Sequence, residues 1–423
     1  EFEIVAFEAE DKPAYSRCGL PFVISGEVKS FDKLVAYPLS YYKMMKIDLR
    51  LKTLVKSIDV KGKKLEFEEG GRTEMIEYDK LILATGGEAS IPPIKGRELE
   101  GVYSLRTRAD GERILKAATN SSSAIVIGGG VNGLEIAVAL RERGLKVTLM
   151  EMFPQVAPAV LDPDMALFLE KRLEEANIKV TTGCTVEEIK GTSRVEGVRC
   201  SLGEVEADFA VVATGVRPNT NLAKKAGVEI GETGGIWVNS SMETSVKDVY
   251  AAGECVEATN FVTMKPTLSQ FGSTAVRMGK VAGINAAGGY ADFPGVLNSC
   301  VTKILDLEIG ATGLTETSAK LQGLETITGK VSGKTRAPYY PGGRELSAKL
   351  VFDKETMRLI GAQILGGEEV AQRVNTLSMA IRGRMNVWDL EKAESCYTPP
   401  LNETWEPSLH GAAEAALAKL RRH

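Results

Sequence analysis

The stretch AIVIGGGVNGLEIAVALRERGLKVTLME, from Ala124 to Glu151, constrains the fold more than any other part of the chain. A continuous apolar run, as in a strand buried on both faces, ends in Gly128-x-Gly130-x-x-Gly133. A helical stretch follows, then a second strand-like run with Glu151 at its tip. Glycines at these places let the chain turn tightly, let the backbone approach a pyrophosphate, and let the helix pack closely on the strand. The pyrophosphate is expected at the helix N-terminus, beside Gly130, Val131 and Asn132. Glu151 can accept hydrogen bonds from both ribose hydroxyls, whereas a 2′-phosphate there is repelled, so NADH is expected over NADPH. The alternative is a glycine-rich strand–helix turn with no ligand.

The chain repeats this logic. Asp79 to Gly86 (DKLILATG) matches Asp208 to Gly215 (DFAVVATG), each an apolar run ending in Ala-Thr-Gly before a loop containing proline. Two copies imply two similar nucleotide-binding units. EFEIVAFE at the start corresponds to GLKVTLME, which sets Glu8 opposite Glu151. The glycine turn opens 23 residues before Glu151, so its counterpart in the first copy falls before residue 1. The expectation is a natural protein longer by roughly two dozen residues, with the first strand, glycine fingerprint and first helix of the first unit outside this sequence.

Strand-like and helical stretches alternate along most of the chain, as parallel sheets flanked by helices require. From about residue 345 the texture changes: ELSAKLVFDKETMRLIGAQILG reads as an antiparallel hairpin turning near Lys354-Glu355-Thr356, so the tail is expected to be a separate α+β unit. At 423 residues, two or three cores are expected. Acidic and basic residues nearly cancel (56 against 52) with no long like-charge run, which argues against a nucleic-acid surface. No apolar stretch is long enough to span a bilayer, and the opening residues carry acids where a secretion signal carries Lys or Arg. Six scattered cysteines without a C-x-x-C pair, and only two histidines, suggest neither a metal site nor a disulfide framework. The expected setting is cytoplasmic, with reduced thiols.

The two units, the two Ala-Thr-Gly runs and TSVKDVYAAGEC (Thr244 to Cys255) together resemble the flavoprotein pyridine nucleotide-disulfide oxidoreductases. The resemblance implies an α/β fold of two Rossmann-like domains, for FAD and for NAD(P), plus a C-terminal α+β dimerisation domain that makes a homodimer. It divides the chain into FAD-binding parts at 1–107 and 240–297, an NAD(P)-binding domain at 108–239 and a dimerisation domain at 298–423. It places FAD against Glu8, Arg17, Ala84, Thr85, Gly86, Arg106, Glu254, Phe271 and Gly272. It places NAD against Gly128, Gly130, Val131, Asn132, Gly133, Glu151 and Gly215. Glu254 stands where the family has an aspartate on the flavin ribityl chain, so its extra methylene implies a shifted backbone or an inserted water.

The subfamily follows from AYSRCGLPF (Ala14 to Phe22). Two-cysteine members carry C-x-x-x-x-C, but Val23 stands five residues after Cys18, and the tail, with only His410 and His423, lacks their His-Glu pair. The remaining resemblance is to the single-cysteine branch of coenzyme A disulfide reductases, NADH oxidases and NADH peroxidases. SRCGLPF, APYYPGGRELSAKLVFD (Ala337 to Asp353), CYTPPLNETWEP (Cys396 to Pro407) and FPGVLNSCVTKILDLEIGATGLTE (Phe293 to Glu316) favour the first of these.

A reactive cysteine needs its thiolate, which a helix N-terminus favours, and Gly19 and Pro21 fit a loop-to-helix start at Cys18. The resemblance implies that electrons pass from NADH through FAD to Cys18, whose thiolate attacks a small disulfide or polysulfide and releases a thiol. Coenzyme A is the expected substrate moiety. Tyr340 (or its neighbour Tyr339) and Tyr397 are expected to protonate the leaving thiolate, unless they are interface aromatics with satisfied hydroxyls. Glu135 is expected near the nicotinamide. Cys184, Cys200, Cys300 and Cys255 read as packing, while Cys396 is a candidate second thiol for Cys18 of the partner subunit. Two alternatives stay open: an NADH oxidase or peroxidase working through a Cys18 sulfenic acid, and a non-enzymatic flavoprotein that senses redox state or delivers electrons.

Overall fold

The apolar runs around the glycine turn form the inner strands of a five-stranded parallel sheet. The computed structural model describes residues 2–421. Across this sheet the strands run Ile178–Thr181, Lys146–Met150, Ser123–Ile127, Phe209–Val212 and Val102–Tyr103. Lys146 pairs with Ser123, and Phe209 with Ala124. The helices Arg108–Thr119, Val131–Glu142 and Pro163–Glu175 accompany it. Helix Arg108–Thr119 starts at a capping box in which Thr107 and Asp110 satisfy each other's backbone N–H groups. Ile125, Leu140, Leu149 and Leu169 are fully buried here, and truncating one of them to alanine costs about 2–5 kcal/mol.

The first unit is organised differently. Its strand Ile4–Glu8 pairs in parallel with Ile47–Leu51, and Leu81–Leu83 pairs in parallel with Val249–Ala251, so its parallel strands form two separate two-stranded pieces. An antiparallel meander, Thr53–Asp59, Lys64–Glu69 and Arg72–Glu77, lies between them in sequence. Its second turn is Gly70-Gly71, both with positive φ (57° and 79°), which glycine adopts without strain. The two Ala-Thr-Gly segments occupy matching places, each directly after a parallel strand. Beyond them the short strands Gly87–Ala89 and Val216–Pro218 pair with each other, antiparallel, so the two repeats are joined to one another.

The tail forms a five-stranded antiparallel sheet in the order Cys300–Ile304, Leu307–Gly313, Leu359–Gly366, Glu345–Asp353, Thr326–Lys334. The expected hairpin is present, turning between Asp353 and Leu359. Leu350, Phe352, Ile364 and Leu377 make its core with helices Val370–Arg382 and Ala412–Leu420. Gly329 is required for this: a Cβ there would overlap the Ala412 carbonyl oxygen. No described helix is long and apolar enough to cross a membrane.

A buried carboxylate joins this sheet to the parallel one. Asp162, 1% exposed, precedes helix Pro163–Glu175. It accepts from Gln363 Nε2 (2.6 Å), the backbone N–H groups of Glu316 and Thr317 (3.0 Å each) and Thr317 Oγ1 (2.9 Å). Lys349 Nζ lies 3.1 Å away and also meets Asp164 and Glu316. Burial pushes the Asp162 carboxyl up, but these donors outweigh it and hold it below the usual carboxylate range.

Candidate active site

The glycine turn has the geometry that its sequence requires. Gly128 has φ +111°, and a Cβ at Gly133 would overlap the Gly128 carbonyl oxygen, so helix Val131–Glu142 reaches the strand only because position 133 is glycine. Gly130 is the N-cap, with Val131 and Asn132 opening the helix, so unpaired backbone N–H groups face the turn. Glu151 is buried at the tip of the second strand. Its Oε2 accepts from the Gly129 N–H (2.6 Å) and its Oε1 from the Phe153 N–H (2.8 Å). The carboxylate therefore fixes the turn as well as facing it. Gly215, φ +114°, follows the strand Phe209–Val212 with open space where a Cβ would stand.

The first unit offers a second cradle. Gly86 has φ +64° and, like Gly215, nothing within reach of a Cβ. Ala84 and Thr85 precede it, and Thr85 Oγ1 donates to the Asn219 carbonyl (2.6 Å). Glu8 ends its strand with Oε1 accepting from the Glu10 N–H (3.0 Å). Arg17 donates to Glu10 (2.6 Å) and to the Arg106 carbonyl (3.0 Å), and stacks over Tyr15. Arg106 forms a short ion pair with Glu254, and both side chains are largely enclosed. Its Nε is buried without a hydrogen-bond partner, a donor that an enclosed acceptor group would satisfy. Phe271 caps helix Gly272–Ala286, whose first-turn N–H groups suit a phosphate. An orphaned guanidinium nitrogen, an open glycine and a free helix start together fit an FAD site.

Cys18 lies in the 3-10 turn Arg17–Gly19, directly before helix Leu20–Ser25, with Pro21 in that helix's first turn. The loop-to-helix start is present, but the electrostatics oppose the expected thiolate. Crowding desolvates the sulfur of this otherwise exposed residue and pushes its thiol up; Glu135 and Glu254 push it further, and Arg106 offsets this only in part. Glu135 comes from the glycine-turn helix, and Arg106 and Glu254 come from the first unit. The sulfur thus lies within electrostatic reach of both repeats. Glu135 itself is desolvated, which raises its carboxyl despite a 2.6 Å hydrogen bond from Thr302 Oγ1. Thr302 is a site residue that sequence reasoning missed, because nothing in its strand pattern marks it.

Among the described residues, no hydrogen bond joins Tyr339, Tyr340, Tyr397 or Cys396 to Cys18 within one chain. Tyr397 meets Tyr339, hydroxyl to hydroxyl at 2.9 Å, while the Tyr340 hydroxyl is not part of that pair. The doubled tyrosine in the sequence concealed which ring faces Tyr397. Tyr339 and Thr404 hydrogen-bond the Tyr397 phenol and pull it down. All six cysteines are free; Cys184, Cys200 and Cys255 are buried, Cys396 is exposed, and Cys300 is only half-buried.

Comparison with known proteins places this geometry. The chain matches pyridine nucleotide-disulphide oxidoreductase over residues 1–279 and the dimerisation domain of the same family over 300–409. It is 46% identical over 425 residues to an NADH oxidase of Methanocaldococcus jannaschii, covering 99% of this chain and 94% of that one. It is 36% identical over 410 residues to a CoA-dependent NAD(P)H sulfur oxidoreductase of Pyrococcus furiosus, covering 96% and 92%. A solved NAD-dependent persulfide reductase from A. fulgidus superposes with a TM-score of 0.96 at 38% identity, over 99% of this chain and 79% of that one. The chain therefore belongs to the pyridine nucleotide-disulphide oxidoreductases, enzymes that use FAD and NAD(H), and carries their dimerisation domain.

Proposed function

We propose that this enzyme is an NADH:disulfide oxidoreductase of coenzyme A disulfide reductase type, with Cys18 as its redox centre. The observation that carries the reading is one sulfur, with Val23 in place of a second cysteine, reached by Glu135 of one repeat and the Arg106–Glu254 pair of the other. A lone thiol must take its second sulfur from the substrate. FAD, when bound, supplies the path for an electron pair from the nicotinamide to Cys18. The Cys18 thiolate attacks one sulfur of R–S–S–R, a mixed disulfide forms, and RS⁻ leaves. Tyr397, with Tyr339 or Tyr340, gives that thiolate its proton. The electron pair then cleaves the mixed disulfide, so the balance is NADH + H⁺ + RSSR → NAD⁺ + 2 RSH. The names of sulfur-reducing relatives and of a solved CoADR support a coenzyme A disulfide, persulfide or polysulfide as acceptor, and the dimerisation domain supports a homodimer.

A second reading, an NADH oxidase working through a Cys18 sulfenic acid, is favoured by the name of the 46% identical relative. Anaerobic NADH consumption with coenzyme A disulfide, compared with aerobic consumption without it, separates the two. We expect disulfide-dependent turnover that Cys18→Ser abolishes. Turnover with oxygen alone that added disulfide leaves unchanged would refute the first reading.

A further inference from the structure

His410 takes no part in the chemistry above, yet it is 2% exposed and held in a single arrangement. It lies in the π-turn Pro407–Gly411, and its imidazole stacks on Trp405 with centroids 4.3 Å apart and planes 28° from parallel. Trp405 is itself held by a 3.0 Å hydrogen bond from its Nε1 to Glu414. The turn is pinned below by Glu406, which accepts from Arg373 Nε (2.9 Å), Ser408 Oγ (2.7 Å) and the Leu409 N–H (2.7 Å). The ring is thereby aimed at one acceptor, the Ala393 carbonyl, 2.7 Å from Nε2. A carbonyl oxygen only accepts, so Nε2 carries the proton, and Nδ1 is buried without a partner.

Ala393 begins a stretch, 393–398, with no regular secondary structure, and that stretch carries Cys396 and Tyr397. Its far end is held by the Ala337 N–H on the Pro399 carbonyl (3.3 Å) and its middle by the Tyr339–Tyr397 hydroxyl contact. At its near end the Ala393 N–H bonds the Leu390 carbonyl (3.3 Å), and the Ala393 carbonyl takes the His410 hydrogen bond. We infer that His410 is a positioning residue for the Tyr397 hydroxyl: its Nε2–H anchors the Ala393 carbonyl and so fixes the start of the segment that presents the tyrosine. The inference rests on the proposed role of Tyr397 as proton donor for its effect on turnover, but not for the tether itself.

The test uses the FAD-loaded enzyme, three variants at His410 and Tyr397→Phe. His410→Phe keeps an aromatic ring against Trp405 without a donor; His410→Met, adaptable in shape and equally donor-free, serves if the first fails to fold. His410→Gln returns an N–H near the Nε2 position. Amide hydrogen exchange at Ala393, whose N–H bonds the Leu390 carbonyl, is expected to rise about tenfold in His410→Phe or His410→Met and to recover in His410→Gln. Turnover with coenzyme A disulfide is expected to fall in parallel by about tenfold, while the single-turnover rate of flavin reduction by NADH is unchanged. Unchanged exchange in both donor-free variants overturns the inference. So does faster exchange with full turnover, provided that Tyr397→Phe lowers turnover. If Tyr397→Phe itself leaves turnover intact, the proton-donor reading fails instead, and the exchange result alone decides the tether.

Discussion

Replacing Asp162 with alanine tests whether the two halves of the molecule are held by one buried carboxylate. The substitution removes the acceptor for Gln363 Nε2, the Glu316 and Thr317 N–H groups and Thr317 Oγ1, while Lys349 keeps Asp164 and Glu316 at 2.9 Å. The ammonium is therefore not orphaned, and the cost comes from the deserted donors. A buried donor left without a partner costs about 1–3 kcal/mol, and water admitted to the vacated space recovers part of it. With several neutral donors deserted and partly rehydrated, the net loss expected is about 2–4 kcal/mol. Asp162→Asn keeps the shape but presents an amide to several donors, and about 2 kcal/mol is expected. Unfolding of a chain with several cores is not a single transition, so the measurement is native-state hydrogen exchange at the Glu316 and Thr317 amides, the donors concerned. The sign with pH follows from the depressed carboxyl. The stabilisation is full above the unfolded-state value of about 4 and is lost as pH falls through the lower folded-state value, so wild type and Asp162→Ala should converge in acid. A loss below about 1 kcal/mol at neutral pH, or a difference that persists in acid, would refute the reasoning.

Three further outcomes follow from the site. Glu135→Gln removes the carboxylate that, after burial, does most to raise the Cys18 thiol, so iodoacetamide alkylation of Cys18 at pH 7 should quicken several-fold; an unchanged or slower rate counts against that electrostatic account. Glu151, buried with one oxygen on the glycine turn and the other on the Phe153 N–H, predicts a higher kcat/KM with NADH than with NADPH, and the reverse preference would defeat it. Gly133→Ala forces a Cβ into the Gly128 carbonyl, so KM for NADH should rise at least tenfold with little change in FAD content; normal NADH kinetics would show that the turn can move aside.

The strands Ser123–Ile127, Lys146–Met150 and Phe209–Val212 were legible because a strand buried on both faces must be apolar throughout, and the glycines between them have few other uses. The meander at 53–77 had its signal too, in Gly70-Gly71, but its outer strands are mostly exposed and carry no long apolar run. The site's polar contacts were not legible. Glu135 meets Thr302 across 167 residues, and Asp162 meets Gln363 across 201; no local pattern encodes either partner. Lys349 came closest, as a charge on a strand whose neighbours are apolar, which is a signature of a buried ion pair. For Cys18, the sequence reveals the turn and the proline. The carboxylates that raise the thiol arrive from positions 135 and 254, and only folding brings them near.

The contact between Gly87–Ala89 and Val216–Pro218 bears on how the enzyme can vary. Around it, Asn219 bonds both Thr85 and Gly86, Ser90 bonds Gly215, and Arg217 pairs with Glu88. The loops that follow the two Ala-Thr-Gly turns are therefore one object, a spacer built equally from each repeat. Neither loop can gain or lose a residue alone without displacing the other's turn. Lineages of this chain should show length changes elsewhere on the surface, and at these two loops only in concert.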